Sequence, residues 1–189
     1  YDGDWKDFHT GLFFTAQMAL LQKQGIRVFV VRGNHDAESS ITSSLKVPEN
    51  VRFFSAKKAE TVPLDELGVV IHGRSYAHEE TTEDLTSSYP APVAGAFNIG
   101  VLHTCADGRF QEHARYAPCS VQSLVDKGYD YWALGHIHQR QILHERPHVV
   151  FPGNLQGRHA RELGAKGATL VSVDDRGAVC VAHDRHRRG

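Results

Sequence analysis

The chain has 189 residues, enough for one domain whose core needs neither disulfides nor a structural metal. Lys and Arg total 21 against 22 Asp and Glu, which argues against a broad electrostatic hold on a polyanion; any grip on nucleic acid has to be local or carried by bound cations. Cys105, Cys119 and Cys180 show no CxxC spacing and read as small, mostly buried apolar residues, and no apolar run reaches the length of a membrane span, so a soluble, cytoplasmic chain is expected.

In chain order, an acidic turn, YDGDWKD, runs into a helix over 7–24, with Phe8, Leu12, Ala16, Ala19 and Leu20 at three- and four-residue steps and Gly25 as its stop. A short run, Ile26–Val31, apolar on both faces except for Arg27, reads as a buried parallel strand. A helix followed at once by such a strand is the later part of a βαβ unit, whose first strand is expected upstream of Tyr1. Val51–Phe54 and Gly68–Gly73 read as strands, and the polar stretch His78–Pro92 as a long surface loop. Phe97–Thr104 is a further buried strand. Ser120–Gly128 is a short helix with Ser120 as N-cap, handing over to the strand YDYWALGH. Strands follow over Gln141–His144, His148–Phe151, Gly167–Val173 and Gly177–Ala182, and 184–189 reads as a basic, disordered tail. The fold class expected is α/β, a layered sandwich with mixed sheets, in one domain over 1–183.

Three segments place polar side chains directly after a buried strand, where α/β sheets carry their sites: Gly33-Asn34-His35-Asp36, Val101-Leu102-His103-Thr104 and Gly135-His136-Ile137-His138. In extended backbone His136 and His138 would share a face. A lone His-x-His is commonly a pair of surface imidazoles; His103 at another strand end changes that reading. Imidazoles from strand ends plus the Asn34 carbonyl form a mixed N/O set that suits Mn²⁺, Fe²⁺ or Zn²⁺ better than Ca²⁺. Asp36 beside His35 favours a protonated ring, a poor ligand but a good general acid for an oxyanion leaving group. Phe53, Phe54, Phe97 and Trp132 read as core, His72 as a satisfied core or edge histidine, and Arg74 and Tyr76 as packing residues before pocket-lining ones.

GNHD, the histidine after a buried strand, and GHIH resemble the last blocks of the calcineurin-like metallophosphoesterases. YDGDWKDFHTGLFF, VRGNHDAESSIT, YDYWALGHIHQR and VFPGNLQGRHAREL further resemble the DNA-repair exonuclease branch, the bacterial nuclease subunits of the SbcD and YhaO type, over essentially the whole chain. The resemblance implies that Asn34, His103 and His136 ligate one divalent ion and His138 the other, Mn²⁺ foremost, with His35 as general acid supported by Asp36. It also implies that an Asp-x-His and a Gly-Asp with a bridging carboxylate precede Tyr1, so the chain is expected to be N-terminally truncated and inactive alone. Asp2 would lie near the substrate. Arg158, His159 and Arg161 read either as contacts to a nucleic-acid backbone or as part of a solvated loop.

The activity so implied is hydrolysis of DNA P–O bonds by an exonuclease working on single strands or ends beside a separate ATPase subunit; this chain carries no Gly-rich phosphate loop. Two alternatives stand against it: a phosphatase or small-substrate phosphodiesterase on the same scaffold, and a non-catalytic scaffold. The presence of both His35 and Asp36 weighs against the last.

Overall fold

The computed structural model describes residues 9–37, 46–106, 116–157, 160–174, 177 and 179–185. Its elements, in order, are α1 (His9–Lys23), β1 (Val28–Val30), α2 (Asn34–Ala37), β2 (Val51–Phe53), β3 (Glu60–Leu64), β4 (Val69–Arg74), β5 (Phe97–His103), α3 (Val121–Asp126), β6 (Tyr131–Gly135), β7 (Gln141–Glu145), β8 (His148–Phe151), β9 (Gly167–Val173) and β10 (Val179–Arg185). The six-stranded sheet has the order β3-β4-β5-β6-β8-β7. Its four inner strands run parallel, and β3 and β7 close the edges antiparallel. β1 and β2 form a parallel pair, and β9 and β10 an antiparallel hairpin. The mixed-sheet α/β architecture is therefore as expected.

The inner strands are apolar on both faces because both are covered. Leu102, Leu124, Trp132, Leu134, Val149 and Phe151 pack on one side, with Trp132 fully buried. On the other, Phe54, Leu64 and Ile71 pack with Phe29, Val31, Ile99 and Val101, so the β1–β2 layer is fastened to the sheet by apolar burial. Backbone bonds stitch the same seam: Phe54 N–H donates to Val30 O (2.9 Å), Tyr76 N–H to Arg32 O (3.0 Å) and Ser75 N–H to Ser55 O (3.0 Å).

Several expectations are corrected. Of the residues whose spacing marked the helix of α1, Leu12 and Leu20 are exposed, at 62 % and 53 %, while Gly11 is buried and Phe14, Met18, Ala19 and Leu21 are half-buried. The helix carries apolar residues on more than one side, and spacing alone does not choose which side docks. The stretch read as a surface loop, His78–Pro92, is anchored in the core: Leu85, Thr86 and Tyr89 are buried, and the Tyr89 hydroxyl donates to Val101 O (2.7 Å) and accepts from Arg74 N–H (3.0 Å). β3 went unread, because Glu60, Thr61 and Pro63 interrupt its apolar pattern. β10 continues through Asp184 and Arg185, residues assigned above to a disordered tail. Cys105 and Cys119 are buried and Cys180 is exposed, and none of the three is in a disulfide. Among the described residues no helix is long and apolar enough to cross a membrane.

Candidate metal centre

Strand parity decides what reaches the site. Along β5, Asn98, Gly100 and Leu102 turn toward Trp132 and its neighbours, whereas Ile99 and Val101 join the cluster shared with β1 and β2. His103 shares the parity of Ile99 and Val101, so its ring emerges on the side where β1 delivers Asn34. Asn34 opens α2, is buried, and holds Oδ1 2.9 Å from His103 Nε2. From the end of β6, His136 brings Nδ1 to 3.2 Å from the same nitrogen.

The approach is close enough to require glycine. A Cβ on Gly33 would stand 2.4 Å from His103 Cε1. The His103 ring is wedged edge-on against Tyr76 at 5.1 Å between centroids, and His136 lies 5.1 Å from the Tyr116 ring. Burial first, and then the charge of the adjacent His136, push the His103 pKa down to about 3. Its imidazole is therefore neutral, with a lone pair available. Asn34, His103 and His136 line a cavity of about 780 Å³ together with His35, His138, Asn154 and Glu162.

His138 reaches this cavity by a route different from the one expected. β6 stops at Gly135, His136 adopts a positive φ of 113°, and residues 136–139 bend. The pair is thus brought together by a bend and not by the alternation of an extended strand. His138 Nδ1 lies 2.7 Å from Glu162 Oε1. His35 is exposed on α2, and the Asp36 carboxylate accepts from the Gly33 N–H at 3.2 Å. Asp2, Arg158 and His159 lie outside the described residues, and Arg161 is exposed on the turn before Glu162.

Two imidazole nitrogens and an amide oxygen converging in one cavity form a donor set that borderline divalent cations accept. Among the described residues no group of three or more His, Cys, Asp or Glu is arranged to hold an ion; here the third donor is an amide. The donor chemistry fits one such cation, which Asn34, His103 and His136 would hold.

Asn154, Glu162 and Lys166 were missed in the sequence. VFPGNLQGRHAREL was read there for its Arg and His residues, and its buried carboxylate has no spacing signature to announce it. His72 is a satisfied core histidine, placed between Thr61 Oγ1 (3.0 Å) and Asn98 Oδ1 (3.1 Å). Arg74 pairs with Glu83 at 3.0 Å.

The mixed-sheet sandwich carries this cluster at its strand ends, and the comparison with known proteins gives the family. Residues 3–176 match the calcineurin-like phosphoesterase superfamily domain, and the chain belongs to that superfamily, whose members use divalent metals. It is 40% identical over 166 residues to the uncharacterized metallophosphoesterase YhaO of Bacillus subtilis (strain 168), covering 86% of this chain and 40% of that protein. It is 21% identical over 192 residues to the DNA double-strand break repair protein Mre11 of Methanopyrus kandleri, covering 86% of this chain and 41% of that protein. The chain spans about two-fifths of the length of these curated relatives.

Proposed function

We propose that this chain is part of the catalytic domain of a metal-dependent phosphodiesterase that acts on DNA, as an exonuclease on single strands or ends, the whole protein supplying the further metal ligands. The observation that carries the reading is the meeting of Asn34 Oδ1 and His136 Nδ1 on His103 Nε2, at 2.9 and 3.2 Å, in a cavity that His35 also lines. Likeness to a double-strand break repair protein supports DNA as the substrate. Asn34, His103 and His136 would hold one divalent cation and His138 would serve a second, with Mn²⁺ first and Fe²⁺ or Zn²⁺ accepted by the same donors. The chemistry such cations supply when bound is Lewis-acid polarisation of a phosphoryl oxygen and activation of water.

The chain's own residues do the rest. Burial keeps the His103 ring neutral across the physiological range, so one of its nitrogens carries a lone pair. His35, at the exposed rim, would serve as the general acid for the leaving oxygen, and the α2 turn that carries it is fixed by the bond from Gly33 N–H to Asp36. Arg161, with Asp2, Arg158 and His159, would meet the nucleic-acid strand. A separate ATPase subunit is the proposed partner, supplying the ATP hydrolysis for which this sequence has no phosphate loop.

Near-neutral net charge favours one competing reading, a phosphatase or diesterase of small substrates. The test is Mn²⁺-dependent hydrolysis of bis(p-nitrophenyl) phosphate and of single-stranded DNA by the intact protein. The His35→Ala change is expected to lower kcat by about 10²- to 10⁴-fold. DNA cleavage should fall with added salt while ester cleavage does not. An undiminished rate in H35A would remove His35 from its role, and cleavage of the ester alone would transfer the site to small substrates.

A further inference from the structure

We infer that Glu162 is a positioning residue for His138: its carboxylate takes the Nδ1–H and fixes the ring so that Nε2 is the nitrogen offered to a ligand. This rests on the metal reading above and extends it to a residue that no sequence pattern marks. His138 Nδ1 and Glu162 Oε1 are 2.7 Å apart, and the Glu162 side chain is only 10% exposed. Its second oxygen is tied as well: Asn154 Nδ2 donates to Oε2 at 3.2 Å, and Lys166 Nζ stands 3.6 Å from it.

The same cluster holds the backbone of His138. Asn154 N–H donates to His138 O at 3.1 Å and Lys166 Nζ to the same oxygen at 3.4 Å. The Asn154 carbonyl is fixed in turn by Gly167 N–H at 3.2 Å, at the start of β9. Gly153, at φ +77°, permits this approach, since a Cβ there would lie 2.8 Å from Arg140 N and 3.0 Å from His138 O. Ring and carbonyl of one histidine are thus gripped by the side chains of Glu162 and Lys166 and the backbone N–H of Asn154.

The chemistry explains the need. His138 lies in a bend outside any strand, so no ladder orients it. A carboxylate on the far nitrogen of a metal-binding imidazole sets which nitrogen faces the metal, fixes ring rotation and raises ligand basicity. Glu162 needs no contact with the cation to do this.

The decisive experiment labels the histidines of the intact protein with ¹⁵N and records their ring nitrogens, metal-free, at mildly alkaline pH, with His138 assigned by its absence in His138→Asn. In the wild type Nδ1 of His138 carries the proton. In Glu162→Ala the proton moves to Nε2, and in Glu162→Gln, which keeps an acceptor, it stays. A calorimetric Mn²⁺ titration of the same proteins should show binding weakened by about 10- to 100-fold in E162A, with partial recovery in E162Q. If E162A does not melt cooperatively, E162Q decides: weaker Mn²⁺ binding supports the assignment and unchanged binding overturns it. An unchanged His138 tautomer in folded E162A overturns it. So does loss of a whole equivalent of Mn²⁺ in both variants with the tautomer retained, since that is the behaviour of a direct ligand. A wild type that binds no Mn²⁺ would overturn the metal reading instead, and the tautomer would then decide the orienting contact by itself.

Discussion

At the scale of residues, tight packing around His103 sets the tolerance of the site. Gly33→Ala would drive a Cβ to within 2.4 Å of the imidazole, and the ring, wedged against Tyr76, has little room to yield. Overpacking of this kind costs about 1–3 kcal/mol. A urea melt should show that loss, and Mn²⁺ affinity should fall with it; unchanged values for both would show that the ring can step aside. His72 makes a second prediction. Burial, only partly offset by the bond to Asn98, holds its pKa below the ordinary histidine value, so between the two the unfolded chain binds a proton that the folded chain refuses. Its stabilising contribution is present above a pH of about 6.5 and is lost as pH falls below that. Urea midpoints measured down this range should fall more steeply for the wild type than for His72→Gln, and parallel profiles would sink the idea. Asn34, His103 and His136 were legible because each follows a buried strand, a position the chain's periodicity reveals. Glu162 was not, because its importance comes from a fold-back that no local pattern encodes.

At the scale of elements, the segment between β4 and β5 shows how a polar stretch can be structural. Tyr89 supplies a hydroxyl to Val101 O and Arg74 N–H, two backbone groups of adjacent strands. Tyr89→Phe removes both bonds to part-buried backbone groups, which costs on the order of 1–3 kcal/mol. The urea midpoint should drop accordingly, with Mn²⁺ binding preserved; a neutral substitution would mean that water replaces the hydroxyl. The sequence disclosed the strands with near-continuous apolar runs, β4, β5 and β6, nearly to their ends. It hid the anchoring of Leu85 and Tyr89, whose spacing in a Ser- and Thr-rich stretch looks like a loop. It also misled at His136, where the backbone leaves the strand just as the metal-binding pattern begins.

At the scale of the whole molecule, the donors come from parts far apart in sequence: Asn34 from the β1–β2 layer, His103 and His136 from the sheet. A cation bound among them would cross-link the two layers and so stabilise the fold. At a Mn²⁺ concentration of 100 Kd the gain is about 2.7 kcal/mol, read as a higher unfolding midpoint that a chelator reverses. His136→Ala should abolish that gain, and an equal gain in the variant would place the ion elsewhere. The mixed-sheet sandwich was foreseeable from strand count and order of elements. The arrangement β3-β4-β5-β6-β8-β7 was not, because the partner each strand selects is set by long-range packing.

The claim on which the rest depends is that Asn34, His103 and His136 hold a divalent cation. Anomalous diffraction from crystals of the intact protein grown with Mn²⁺ tests it directly. The expected result is a manganese peak coordinated by Asn34 Oδ1, His103 Nε2 and His136 Nδ1. A cavity without a peak at saturating Mn²⁺, or a peak bound by other side chains, would contradict it.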